Sequence, residues 1–146
     1  MSPEAGPTRP EARIELVRSG LEAYNEGDIQ AVLALLADDV VTYAPADYLN
    51  SGTFYGHQGF LEWIGAWNEA WESFRQDVGK IEAVGEHWVI AEVHQTARGR
   101  GSGIEIDQRS AYLWEVHDGK CTFQGLYPDT DRAHAAARER GAVAAE

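Results

Sequence analysis

Ala111-Tyr112-Leu113-Trp114-Glu115-Val116-His117-Asp118-Gly119-Lys120-Cys121-Thr122-Phe123 is the stretch that decides how this chain folds. Two runs rich in aromatic and β-branched residues flank an Asp-Gly pair. Such a pair between such runs is among the strongest hairpin signals a sequence carries. Working backwards, the same period-two pattern extends to residue 76. It predicts strands over 76–85, 87–98, 104–117 and 120–128. Gly85-Glu86 divides the first pair, and the glycine-rich run Arg98-Gly99-Arg100-Gly101-Ser102-Gly103 forms the tip of the second. A four-strand antiparallel meander follows.

Further upstream the rhythm changes to 3.6. Ile14, Leu16, Val17, Leu21 and Tyr24 predict a helix over 11–25. Asn25-Glu26-Gly27-Asp28 stops it: Gly27 suits a helix C-cap, and Asp28 suits the N-cap of the next helix. That second helix carries Ile29, Val32, Leu33, Leu35 and Leu36 and ends at Asp38-Asp39. Val40-Val41-Thr42-Tyr43 reads as a short strand, and 44–56 reads as a loop. A third helix is expected over 57–74, with Phe60, Trp63, Ile64, Trp67, Trp71 and Phe74 on one aromatic face. That face is either core or, in part, the wall of a ligand cavity. The Ala-, Arg- and Glu-rich stretch 132–146 reads as a last helix fraying after Gly141. The expected organisation is α+β: residues 11–140 as a single domain, a curved antiparallel sheet with three N-terminal helices on its concave face, and tails at 1–10 and 141–146.

Composition limits the function. The chain has 146 residues, 44% hydrophobic and 25% charged, with a formal net charge of -12. A chain of this length buries roughly two-thirds of its unfolded surface without staples. The acidic balance argues against nucleic acid and against anionic membrane surfaces. Cys121 is the only cysteine, so neither an internal disulfide nor a cysteine-rich zinc site is available. No signal-peptide core and no long apolar span is present, so a cytoplasmic location is expected. The histidines at 57, 87, 94, 117 and 134 lack metal-ligand pair spacing. No metal and no cofactor is therefore expected.

Several motifs together resemble the SnoaL-like domains of the NTF2-like superfamily. They are Asn25-Glu26-Gly27-Asp28, Leu35-Leu36-Ala37-Asp38-Asp39-Val40, Tyr55-Gly56 before the third helix, and Trp114 to Lys120 with Tyr127-Pro128-Asp129 after it. The resemblance implies an NTF2-like cone, closed at one end around a pocket for a small hydrophobic molecule, and a homodimer paired through the sheets. The superfamily includes ketosteroid isomerases, epoxide hydrolases, polyketide cyclases and pocket domains of no known reaction. The isomerase groups are missing, because Gly20, Ala44 and Ala111 stand where its tyrosine, its base and its acid fall. Glu92-Val93-His94 lacks the Arg-X-Asp pair of the hydrolases, and Phe123-Gln124-Gly125-Leu126 replaces the cyclases' His-Trp-Asp-like run.

The same alignment turns Arg109, Ala111 and Leu113 toward the pocket and Tyr112 away from it, into a dimer face. Arg109 then needs a partner, because an unpaired buried charge costs several kcal/mol. Glu92, Asp129 or a ligand oxygen could serve, or Arg109 pins two strands or lies exposed at the sheet edge. His94 shares a face with Glu92 and is either a general base near neutral pH or a half-exposed strand residue. Asp129 is either an acid at the pocket mouth or a helix cap. His94, Arg109 and Asp129 are thus the candidate catalytic residues. Tyr43, Trp63, Trp67, Glu92 and Leu113 are the candidate ligand contacts, with Tyr48 a further phenol donor. His57 is expected at a solvent-exposed first helical turn, and Cys121 as a small buried hydrophobe. Acid/base turnover (isomerase, hydrolase or cyclase type) and a non-catalytic binding or protein-interaction module both remain open.

Overall fold

The computed structural model describes residues 9–45 and 51–145, with side chains to residue 141. Tyr48 and most of the first tail lie outside the described residues. The first helix, α1 (Pro10–Asn25), opens on a proline whose missing N–H costs nothing there. Gly27, at φ 77°, turns the chain out of it. The Asp28 carboxylate then accepts from Ala31 N–H at 3.1 Å and caps α2 (Ile29–Leu35).

β1 (Leu36–Ala44) follows without a break and pairs with β2 (Gly52–Tyr55), a strand the loop-like composition of 44–56 concealed. α3 (Gly56–Ala70) is shorter than its aromatic spacing predicts. Trp71 and Phe74 belong to β3 (Trp71–Val84), where a register shift between Trp71 and Ser73 lets two residues three apart both reach Trp67, so the helical spacing misled. β4 (Trp88–Gly99), β5 (Glu105–His117) and β6 (Lys120–Tyr127) complete the meander, and α4 (Thr130–Ala145) closes the chain. The β5–β6 turn has Asp118 at φ 54° and Gly119 at φ 74°, the paired positive angles that an Asp-Gly hairpin turn requires. α4 runs through Gly141 to Ala145, past the expected fraying point.

The sheet order is β2-β1-β6-β5-β4-β3. It is not wholly antiparallel: β1 lies parallel to β6, with Val41 beside Phe123 and Tyr43 beside Gly125. A parallel neighbour needs a long crossover. Here β2, α3 and the β3–β5 meander supply it. The third helix therefore stands within the run of strands rather than ahead of them.

The two sheet faces carry different layers. Val89, Ala91 and Val93 of β4 and Tyr112, Trp114 and Val116 of β5 pack with Val17, Leu21, Val32, Phe60, Trp63 and Trp67 of the first three helices. The alternate residues Ile90, Ala111, Leu113 and Phe123 face the other way and pack under Ala133 and Ala137 of α4. Helices thus cover both faces, where the sequence reading places them on one.

Arg13 fastens the helical layer to the sheet. Its guanidinium donates to Trp88 O and Gly85 O, both at 3.0 Å, at the β3–β4 turn. Burial lowers its pKa, and Glu86 partly opposes that shift. Arg13→Ala leaves two carbonyls without a donor, and chemical denaturation should show a loss of about 1–3 kcal/mol.

Candidate functional site

The strand alternation that buries Tyr112 and Trp114 also turns a set of amides inward. Gln76 Oε1 accepts from Tyr112 OH at 2.8 Å and from Gln95 Nε2 at 3.0 Å. Gln95 Oε1 in turn accepts from Gln108 Nε2 at 3.0 Å and Ser110 Oγ at 2.9 Å. The Gln76 backbone is held from the helix side, where Asn25 bonds both its N–H (3.0 Å) and its C=O (2.7 Å). This network crosses β3, β4 and β5 within the layer shared with α1 to α3.

Beside it lies a cleft of about 20 Å³, walled by Tyr24, Val32, Phe60, Trp63 and Trp114 with Gln76 and Gln124 as polar members. Gly20 lets the Trp114 ring close one wall, since a Cβ there would stand 2.8 Å from its edge. Gln76 and Trp114 are 1% and 2% exposed. Yet Gln76 Nε2 and Trp114 Nε1 have no acceptor among the described residues. Tyr24 stands over the cleft, its hydroxyl donating to Asn68 Oδ1 at 3.5 Å. Burial, with Tyr112 adding to it, pushes the Tyr24 phenol well above its usual range, so it stays a neutral donor. No carboxylate or imidazole lines this cleft among the described residues.

The three candidate catalytic residues stand elsewhere. His94, Arg109, Asp129 and Glu92 line one open groove of about 400 Å³ beside β3, β4 and β5. His94 pairs directly across from Arg109 and bonds Asp107 Oδ1 at 2.6 Å. Asp129 accepts from Arg132 N–H at 2.8 Å, which is helix capping at the start of α4. Arg109 is exposed, with no hydrogen bond or ion pair among the described residues. The groove brings these residues together, but no bond joins one to another. Arg109 and Leu113 share the face opposite Tyr112 and Trp114, so the expected inward turn of Arg109, Ala111 and Leu113 is inverted.

Tyr43 is also outside the cone. Its ring lies 5.9 Å from Tyr127, and both line a groove against α4. Leu113 is fully buried and packs with Ala133 and Ala137 of α4. Trp63 does line the cleft, whereas Trp67 packs one layer away among Trp63, Trp71 and Phe74. His57 is not free at its helix start: its Nε2 lies 3.0 Å from Leu36 O. Cys121 is buried as expected, and burial raises its thiol pKa. The residues that sequence reasoning passed over are Gln76, Gln95 and Trp114, and Tyr112, expected in a dimer face, is instead buried against the helical layer. The signal was the alternation itself, read with the faces exchanged.

Burial and the neighbouring Tyr43 push the Tyr127 phenol up to about 12, against an opposing pull from Arg140. The folded state therefore holds this proton more tightly than the unfolded chain does. The stability it contributes is complete below about pH 10 and is lost as pH rises toward 12. Phenolate absorbance during an alkaline titration should show a late-ionising fraction that appears together with unfolding.

Residues 17–124 match the family model of the SnoaL-like domain, and the chain belongs to that family. Among solved structures it is similar to TerC, co-crystallised with polyporic acid, at 21% identity and a TM-score of 0.72, over 85% of this chain and 96% of that one. It is also similar to an NTF2-like protein of unknown function from Burkholderia pseudomallei (20% identity, TM-score 0.74, 87% and 95% coverage). A third is a protein of ketosteroid isomerase-like fold from Catenulispora acidiphila in complex with trimethylamine (18%, 0.68, 77% and 84%). These likenesses establish an NTF2-like fold. No curated protein matches the chain. No helix among the described residues is long and apolar enough to cross a membrane.

Proposed function

We propose that this SnoaL-like protein binds a compact, largely apolar ligand inside the cone and holds it without acid/base turnover. The observation that carries this reading is the cleft's lining: aromatic walls and neutral polar groups, with two deeply buried donors unsatisfied and no base. A general base must lie within hydrogen-bond reach of the proton it takes. The carboxylates and the imidazole that could do so stand in the outer groove instead. A buried donor without an acceptor costs about 1–3 kcal/mol, so a ligand supplying one recovers part of that. The free space is small, which favours a compact ligand and requires the Tyr24 side of the cleft to give way. The Tyr24–Asn68 bond, exposed and at the outer limit of hydrogen-bond length, is a weak restraint on that movement.

A thermal-shift panel of steroids, terpene epoxides, polyketide fragments, aromatic acids and small cyclic and aromatic ketones tests the reading. Wild type, Arg109→Ala and the cleft-filling Val32→Phe would be compared, each against its own ligand-free midpoint. A ligand at 100 times its Kd adds about 2.7 kcal/mol, several degrees for a domain of this size. The expected hit survives Arg109→Ala and is lost in Val32→Phe. Loss in Arg109→Ala, or no hit at all, contradicts the proposal.

A homodimer through the sheet is part of the same proposal. α4 already covers Ile90, Ala111, Leu113 and Phe123, so the outer-groove side with Glu92, His94 and Arg109 is what remains for a partner copy. That interface would be charged, and its dissociation constant in sedimentation should rise with salt.

A further inference from the structure

From the same cleft, and resting on the binding reading above, we infer that its ligand carries a neutral hydrogen-bond acceptor, a ketone- or amide-type carbonyl oxygen, received by Gln76 Nε2 and Trp114 Nε1. The orientation of the Gln76 amide follows from its partners. Its oxygen already takes two donors, the Tyr112 hydroxyl and Gln95 Nε2, and Gln95 is fixed in turn by two donors on its own oxygen. Turning Gln76 over would set its NH2 against the Gln95 NH2, and Gln95 could turn with it only if Gln108 turned as well. The free group is therefore the NH2, and Trp114 can only donate. Both side chains line the same cleft and are nearly inaccessible.

The class of ligand follows from what these donors accept. The cleft's free volume of about 20 Å³ admits one oxygen atom. That is about the space a single oxygen-sized group needs. A carboxylate would bring a charge into a site with no cation among its described lining residues. An ammonium or a bare hydroxyl proton would leave Gln76 Nε2 and Trp114 Nε1 without an acceptor. A hydrocarbon would leave both N–H groups unsatisfied, the situation in which buried polar sites discriminate most strongly.

The test uses matched shapes: acetophenone against its hydrocarbon counterpart α-methylstyrene, and against benzoate, with dissociation constants from calorimetry or tryptophan fluorescence. Wild type should bind the ketone roughly tenfold more tightly than the hydrocarbon, one to two net hydrogen bonds' worth, and benzoate more weakly than either. Trp114→Phe keeps a ring in the wall and removes its donor, so it should lower the ketone preference several-fold while leaving hydrocarbon binding in place. Gln76→Glu replaces the free NH2 with an acceptor and should abolish the preference. Circular dichroism confirms that each variant is folded. Equal affinity for ketone and hydrocarbon overturns the acceptor assignment while leaving cone binding intact. Tightest binding of benzoate overturns it too. Binding of none of the three at millimolar concentration overturns both this assignment and the reading beneath it.

Discussion

Trp67→Ala should cost about 3–5 kcal/mol, the range for removing a large aromatic from a packed interior. The ring is 4% exposed and sits at the centre of an aromatic stack, with Trp63 at 6.2 Å, Trp71 at 5.7 Å and Phe74 edge-on at 5.3 Å. These neighbours come from α3 and the edge strand β3, so the void would open between a helix and the edge of the sheet. Collapse is unfavourable because Trp63 is already held as a wall of the cleft. For a domain of this size such a loss lowers Tm by about ten degrees or more. A loss under 1 kcal/mol in urea would mean that the stack is not part of the folded core.

Leu113→Ala should cost about 2–5 kcal/mol and leave ligand affinity unchanged. Leu113 is fully buried, but beneath Ala133 and Ala137 of α4 rather than in the cone. Its truncation removes one of the buried side chains packed with Ala133 and Ala137 of that helix, beside Ile90 and Phe123, so amide exchange should quicken along α4 before the rest of the chain. A ligand affinity that fell in parallel would return Leu113 to the pocket side of the sheet. The substitution thus separates the two assignments of faces as well as measuring a packing term.

The contrast at Leu113 shows what the sequence could and could not reveal. The hairpin at Asp118-Gly119, the Gly27 and Asp28 caps and the β3–β6 meander were legible because each rests on local chemistry: turn angles, capping oxygens, strand alternation. β2 was not, since Gly52-Thr53-Phe54-Tyr55 is short and set among loop formers. The face assignment failed for a physical reason. An alternation of apolar and polar residues marks inside and outside only when one face meets water. From Ser110 to Trp114 every residue is buried, because α1–α3 cover one face and α4 the other. Along that run Tyr112 and Trp114 differ from Ala111 and Leu113 in size, not polarity, and a one-residue slip exchanges the two faces entirely.

The same exchange moved the candidate site. His94, Arg109 and Asp129 were legible as neighbours, and they do line one groove. Their chemistry is spent locally, His94 on Asp107 and Asp129 on the α4 cap. Gln76 and Gln95 drew no attention because an interior amide network has no sequence motif. It becomes visible only when three strands align Gln76 opposite Gln95 and Gln95 opposite Gln108.

The claim that the cone interior receives the ligand, with Trp114 as donor, is tested most directly by the indole N–H resonances of the five tryptophans in a ¹H–¹⁵N spectrum, the Trp114 signal being the one missing from Trp114→Phe. Titration with acetophenone should move the Trp114 indole proton downfield and saturate with the calorimetric dissociation constant. A Trp114 signal that stays still while the backbone amides of His94 and Arg109 shift would place the ligand in the outer groove and contradict the account.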